Sequence, residues 1–214
     1  SPFPAMDFRI ATTRGTNALL ERKGREGVLI ITGGFEDLLR IRDQRRPCLF
    51  DLNQELPEPI FQRVIGVRER VSATGEVLEP LDVETAAVLA RSLRDESVEV
   101  AAVALLNSYV NPVHEEQMGE LLREAGIRFV SLSTELTSSI RLLPRAETAT
   151  ANAYLAPVMD RFVEAVASRL GEGSLELLTS AGFLKEAEDY RPVDSLLSGP
   201  AGGVVGALAA AQAA

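Results

Sequence analysis

The run Val28-Leu29-Ile30-Ile31-Thr32, closed by Gly33-Gly34, constrains the fold more than any other stretch of the chain. Five consecutive apolar and β-branched residues offer no polar face to water, so as a strand the run must be covered on both sides. Helices are the cover available, because helical patterns of 10 to 20 residues alternate with short apolar runs along the sequence. The expected fold class is therefore α/β, a mixed sheet with helical cover.

The flanking elements follow from local signals. Residues 16–23 read as a short helix stopped by Gly24, and residues 35–41 as another. Residues 63–71 alternate as a half-buried strand, with Ile65, Val67, Glu69 and Val71 on the more apolar face. Asp82 reads as the N-cap of a helix whose apolar stripe is Val83, Ala86, Ala87, Ala90 and Leu93, and a strand follows over 98–106. Asn111-Pro112 opens a helix that Gly126 stops, and strands are expected over 127–133 and 174–180. Between them a helical region spans about 147–170, and Pro157 is expected to kink or divide it. An alanine-rich helix follows Ser198-Gly199-Pro200 and gives the C-terminal stretch the look of a chain cut from a longer protein.

Charge and composition exclude several function classes. A net charge of −9 argues against a nucleic-acid or anionic-membrane surface, which would want clustered Lys and Arg. One cysteine, Cys48, permits no intramolecular disulfide and no C-x-x-C metal pair, and one histidine, His114, excludes a site needing two. No stretch approaches the roughly 18 apolar residues of a membrane span, and the N-terminal SPFPAM has no signal-peptide core. These features fit a soluble, cytoplasmic protein with no resident metal.

Two turns stand out. In Thr12-Thr13-Arg14-Gly15-Thr16-Asn17, hydroxyls and an amide precede a helix, a pattern that either caps the helix or holds a phosphate or carboxylate. Ser198-Gly199-Pro200-Ala201-Gly202-Gly203 places adjacent glycines at a helix start, to let a neighbouring element or a bound nucleotide approach the backbone. It lacks the G-x-x-x-x-G-K-[ST] pattern of a P-loop. Arg42, Gln44, Arg46 and Asp51, in a proline-bearing excursion, read either as an anion clamp or as solvated surface. His114 reads as a surface or interface residue and Cys48 as buried or inert.

Taken in order, ATTRGTNALLERKG, ITGGFEDLLRIRDQRRPCLFDL, PEPIFQRVIGVRERVSATGEVLEPLD, ALLNSYVNPVHE, NAYLAPVMDRF and LLSGPAGGVVGA resemble successive blocks of the hydantoinase A/5-oxoprolinase family across nearly the whole chain. That resemblance implies the N-terminal region of an actin/Hsp70/sugar-kinase-like ATPase subunit. Residues 1–195 would be that region without its first phosphate loop, and 196–214 the start of the next domain. The D-x-G-G-T loops of the family flank the resembling stretch, so the fragment alone is expected to be inactive.

The implied activity is ATP-dependent opening of a cyclic amide, with ATP and Mg²⁺ used by the full-length protein and a B-type subunit or domain as partner. Relatives that carboxylate ketones, and a non-catalytic scaffold for the B-type partner, are the alternatives. The implied cleft residues are Thr12, Thr13, Arg14, Gly15, Thr16, Asn17, Arg42, Gln44 and Arg46, with Ser198, Gly199, Gly202 and Gly203 close to nucleotide. Many relatives read G-T-T-V-A-T-N in the opening block, where this chain has Ala11 and Arg14-Gly15. Asn107 stands where a histidine is frequent, and TSAGFL at 179–184 replaces a glycine-richer S-N-G-G-L.

Overall fold

The computed structural model describes residues 7–44, 50, 57–170 and 173–213. The chain divides into two compact units, residues 26–154 and residues 1–25 with 155–214.

The larger unit is built on the run that opened the sequence argument. Strand β2, Val28–Thr32, lies at the centre of an all-parallel sheet that also holds β3 (Arg63–Val67), β6 (Val100–Ala104) and β7 (Phe129–Leu132), in the order β3-β2-β6-β7. Every residue of β2 and of β6 is buried, as two-sided cover requires. On one side Val28, Ile30, Ala101 and Val103 join a core with Ala86, Ala90 and Leu93 of helix α3 (Val83–Asp95) and Met118 and Leu122 of helix α4 (Val113–Ala125). The larger side chains among them, Val, Ile, Leu and Met, each contribute about 1.5–3 kcal/mol by leaving water. On the other side, Asn152 of helix α6 (Leu142–Leu170) donates to Ser131 Oγ of β7 at 3.0 Å.

Helix boundaries follow their caps. The Asp82 carboxylate accepts from Thr85 N at 3.1 Å and starts α3, and Gly126 at φ 97° ends α4 in the left-handed conformation that favours glycine. The strand expected over 63–71 divides after Val67, and Arg70–Val71 becomes β4 of a separate two-stranded ladder with β5, Val77–Glu79. The helix expected over 35–41 shortens to α2, Leu38–Ile41, because Phe35 and Asp37 close turns first. A short helix α5, Ser133–Leu136, follows β7.

The second unit holds β1 (Phe8–Ile10), parallel to β8 (Leu175–Leu178), which pairs antiparallel with β9 (Leu184–Glu186). Helix α1 is Arg14–Leu20, so it starts two residues earlier than the leucine pattern indicates and ends before Gly24, with Arg22 at φ 53°. Residues of α6 from 155 onward belong here, and Met159, Leu170, Leu175, Leu177 and Tyr190 form the core. Pro157 does not divide α6, which is assigned as one helix of 29 residues. A 3-10 turn, Pro192–Ser195, precedes helix α7, Ser198–Ala213.

Candidate functional site

Within the second unit the two glycine-bearing turns meet. Thr12 is buried and its Oγ1 accepts from Arg14 N at 3.1 Å, so Thr12 holds the turn in shape. Thr13 occupies the N-cap position without a side-chain cap hydrogen bond, and its side chain is exposed together with that of Asn17. Thr16 Oγ1 accepts from Leu197 N at 3.0 Å, and Ser198 Oγ donates to Thr12 O at 2.8 Å. The first turn of α1 and the start of α7 are thereby fastened together.

The glycines sort by what surrounds them. A Cβ on Gly15 would overlap the Ser195 hydroxyl, so this glycine lets the 3-10 turn pack against α1. A Cβ on Gly199 would lie 2.7 Å from Thr13 Cγ2, and one on Gly202 would lie 3.0 Å from Leu178 Cδ2 and 3.1 Å from Ala11 Cβ. Packing accounts for all three. Gly203 is different: nothing lies within 4 Å of its Cβ position, although it stands one turn beyond Gly199 on the same face of α7. Among the described residues, the exposed Thr13 hydroxyl, the exposed Asn17 amide and the Arg14 guanidinium make no side-chain hydrogen bond to the protein, and Gly203 leaves open space beside α7.

Arg14 points its guanidinium over the Phe162 ring, 5.0 Å from the centroid. Arg42 and Gln44 belong to the larger unit, both at positive φ (54° and 55°). Arg42 pairs with Glu147 at 3.1 Å on the rim of a cleft of about 270 Å³ that Leu39, Pro59, Ile60 and Thr150 also line. Arg46, Cys48 and Asp51 lie outside the described residues.

His114 corrects the surface reading. It is buried, and Leu81 N–H donates to its Nε2 at 3.3 Å, so the ring proton resides on Nδ1, which donates to Glu69 Oε2 at 2.8 Å. Glu69 also accepts from the Thr32 hydroxyl, and Thr32 Oγ1 accepts from Leu106 N at 2.8 Å. This chain crosses the carboxyl ends of β2 and β6, where the strand order reverses and α/β sheets commonly leave a crevice. Here buried side chains occupy it.

Beside it sits a second buried set. Glu115 accepts from Leu105 N, Thr134 N and the hydroxyls of Ser108, Ser133 and Thr134, while Arg145 donates to both serines and to Leu105 O. Burial pulls the Arg145 guanidinium below its ordinary pKa, against the pull of Glu115, and its Nε is unpartnered among the described residues. In the second unit, burial pushes the Tyr190 hydroxyl up to about 12. Sequence reasoning missed these networks. The one signal available was Glu69 on an otherwise apolar strand face, since a carboxylate there must find partners. Among the described residues no group of three or more His, Cys, Asp and Glu could hold a metal ion, and no helix is long and apolar enough to cross a membrane.

Comparison with known proteins places these features in context. The profile of the hydantoinase/oxoprolinase N-terminal region matches residues 6–126, and that of hydantoinase/oxoprolinase matches residues 145–214. 5-Oxoprolinase 1 of Arabidopsis thaliana is 39% identical over 222 residues, covering 93% of this chain and 18% of the plant protein. The ATP-dependent caprolactamase from Pseudomonas jessenii has a similar structure, with a TM-score of 0.77 and 28% identity over 89% of this chain and 29% of that enzyme. Nucleotide-free acetone carboxylase shares the fold at a TM-score of 0.81 and 22% identity, over 97% of this chain and 32% of its own. The chain thus spans under a third of the solved structures, and under a fifth of the plant relative.

Proposed function

The chain belongs to the hydantoinase/oxoprolinase family, and from that premise we propose that the whole protein it forms part of opens cyclic amides in a reaction coupled to ATP hydrolysis. The observation that carries this reading is agreement between a relative named for 5-oxoproline and a structural neighbour named for caprolactam, both cyclic amides, each covering about nine-tenths of the chain. When bound, ATP would supply the phosphoryl group that turns the amide oxygen into a leaving group before water attacks.

This chain's own part is to shape one wall of the cleft. We assign Thr13 and Asn17 to ligand contact, Gly203 to an unobstructed stretch of α7, and Thr12, Gly15, Thr16, Ser198, Gly199 and Gly202 to holding that wall in place. The hydroxyl and amide can donate to phosphate or carboxylate oxygens without first breaking a bond to the protein, the condition for preorganised stabilisation. Arg42, with Gln44 and Arg46 near it in sequence, is proposed as an anion contact of a separate cleft within the larger unit, whose rim it shares with Leu39 and Thr150. Magnesium would enter with the nucleotide, since the described residues offer no metal-holding cluster.

Three further parts of the reading rest on the family. A B-type subunit or domain completes the enzyme, the protein works in the cytoplasm, and this chain alone does not turn over ATP. The proposed division between an N-terminal-type region, residues 1–195, and the next domain, residues 196–214, falls at the start of α7, while the second family profile already matches from residue 145. The test is ADP release by the whole protein with its partner, measured with 5-oxoproline, a hydantoin, caprolactam and a ketone. Amide-dependent ADP release with ring-opened product supports the proposal. A bicarbonate-dependent carboxylation product, or no turnover with any amide, overturns it.

A further inference from the structure

One face of α6 carries Val158, Arg161, Phe162 and Ala165, spaced so that all four fall on a single stripe. Arg14 reaches over this stripe from α1, and the five side chains line an open cleft of about 350 Å³. That volume lies in the range of small-molecule sites. Two of the five are arginines in a chain of net charge −9, and among the described residues neither has a carboxylate partner. The neighbouring acids on α6, Asp160 and Glu164, are engaged in other interactions.

Each guanidinium is held so that donors remain free. Arg14 stands over the Phe162 ring with its Cζ 5.0 Å from the centroid and makes no side-chain hydrogen bond among the described residues, which leaves its N–H groups available. Arg161 donates its Nε to Pro157 O at 3.0 Å, one turn back in the helix, which fixes the stem and leaves the terminal nitrogens. Two cations lining one cleft repel each other unless an anion sits between them. The planar donor fork of arginine matches the oxygens of carboxylate and phosphate. Val158, Ala165 and the uncovered part of Phe162 supply apolar wall beside the charged pair.

We infer that Arg14 and Arg161 form a clamp for an oxyanion, carboxylate or phosphate, borne on a ligand whose apolar portion lies along Val158, Phe162 and Ala165. The clamp is a property of the second unit alone and does not depend on cyclic-amide chemistry elsewhere in the protein.

The experiment is arginine labelling with phenylglyoxal on the whole protein without nucleotide, read by peptide mass spectrometry at Arg14 and Arg161, with exposed Arg91 as reference. The probes are inorganic phosphate and benzoate, each compared with chloride at equal ionic strength. At an anion concentration near ten times its dissociation constant, labelling of both arginines should slow about tenfold while Arg91 is unchanged. Protection by phosphate alone or by benzoate alone names the oxyanion. In Arg161→Gln, protection of Arg14 should fall close to the chloride level, and Arg161→Lys should retain part of it. Protection of neither arginine, protection of one only, equal protection by chloride, or full protection of Arg14 in Arg161→Gln overturns the clamp.

Discussion

Thr16 Oγ1 accepts a hydrogen bond from the backbone N–H of Leu197 at 3.0 Å, joining the first turn of α1 to the residue that precedes α7. Leu197 adopts φ 61°, a conformation a leucine holds only when its surroundings fix it. Thr16→Val removes the acceptor with little change in shape. The expected loss is about 1 kcal/mol of stability, with faster amide exchange at Leu197 measured by hydrogen–deuterium exchange.

The glycines make a paired prediction. Gly15→Ala forces a methyl group into the Ser195 side chain and should destabilise by about 1–3 kcal/mol in thermal or denaturant melts. Gly203→Ala meets nothing within 4 Å inside a helix and should stabilise by about 0.5–1 kcal/mol. If the open backbone at Gly203 faces ligand, the same change lowers amide-dependent ATP turnover of the whole protein despite the more stable fold.

Arg145 and Glu115 are both fully buried and 3.8 Å apart. Arg145→Met leaves the Glu115 carboxylate without its cation, and the fold should lose about 3–5 kcal/mol by chemical denaturation. Removing both charges in Arg145→Met with Glu115→Gln should recover part of that loss.

Asp82 carries a carboxyl held below its ordinary pKa, chiefly by the Thr85 hydroxyl and then by the Thr85 N–H. A depressed folded value means that the contribution of the cap is complete above the unfolded value of about 4 and disappears as pH falls through the lower folded value. The melting-temperature gap between wild type and Asp82→Ala should therefore be constant near neutrality and close on acidification below about pH 4.

Strand β2 was legible because burial on both faces leaves an unbroken apolar run, and α3 and α4 because Asp82, Asn111-Pro112 and Gly126 mark their ends. Strands β1 and β9 span three residues each, too few to show a period, and form because β8 offers them both edges. Pro157 pointed to a kink or a break, and α6 runs past it without a break because a long helix with tertiary partners tolerates a proline that local propensity would forbid. At the site, the polar composition of the opening turn was visible, but its division of labour was not. Thr12, not Thr13, spends its hydroxyl on the turn, and Thr12 O and Thr16 Oγ1 are taken up by Ser198 and Leu197, residues some 180 positions away. His114 was misread for the same reason: its partners Glu69 and Leu81 come from elements brought together only by the fold.

The most direct measurement is amide-dependent ATP turnover of the whole protein carrying Thr13→Ala, beside its melting temperature. Thr13 makes no side-chain cap hydrogen bond, so the substitution should leave the melting temperature close to that of wild type. A free hydroxyl that meets ligand should take about 1.5–3 kcal/mol with it if its oxyanion contact is charged, a drop of roughly 10- to 100-fold in kcat/KM. Unchanged kcat/KM, or a loss of turnover matched by loss of the fold, would contradict a ligand-facing role for this turn.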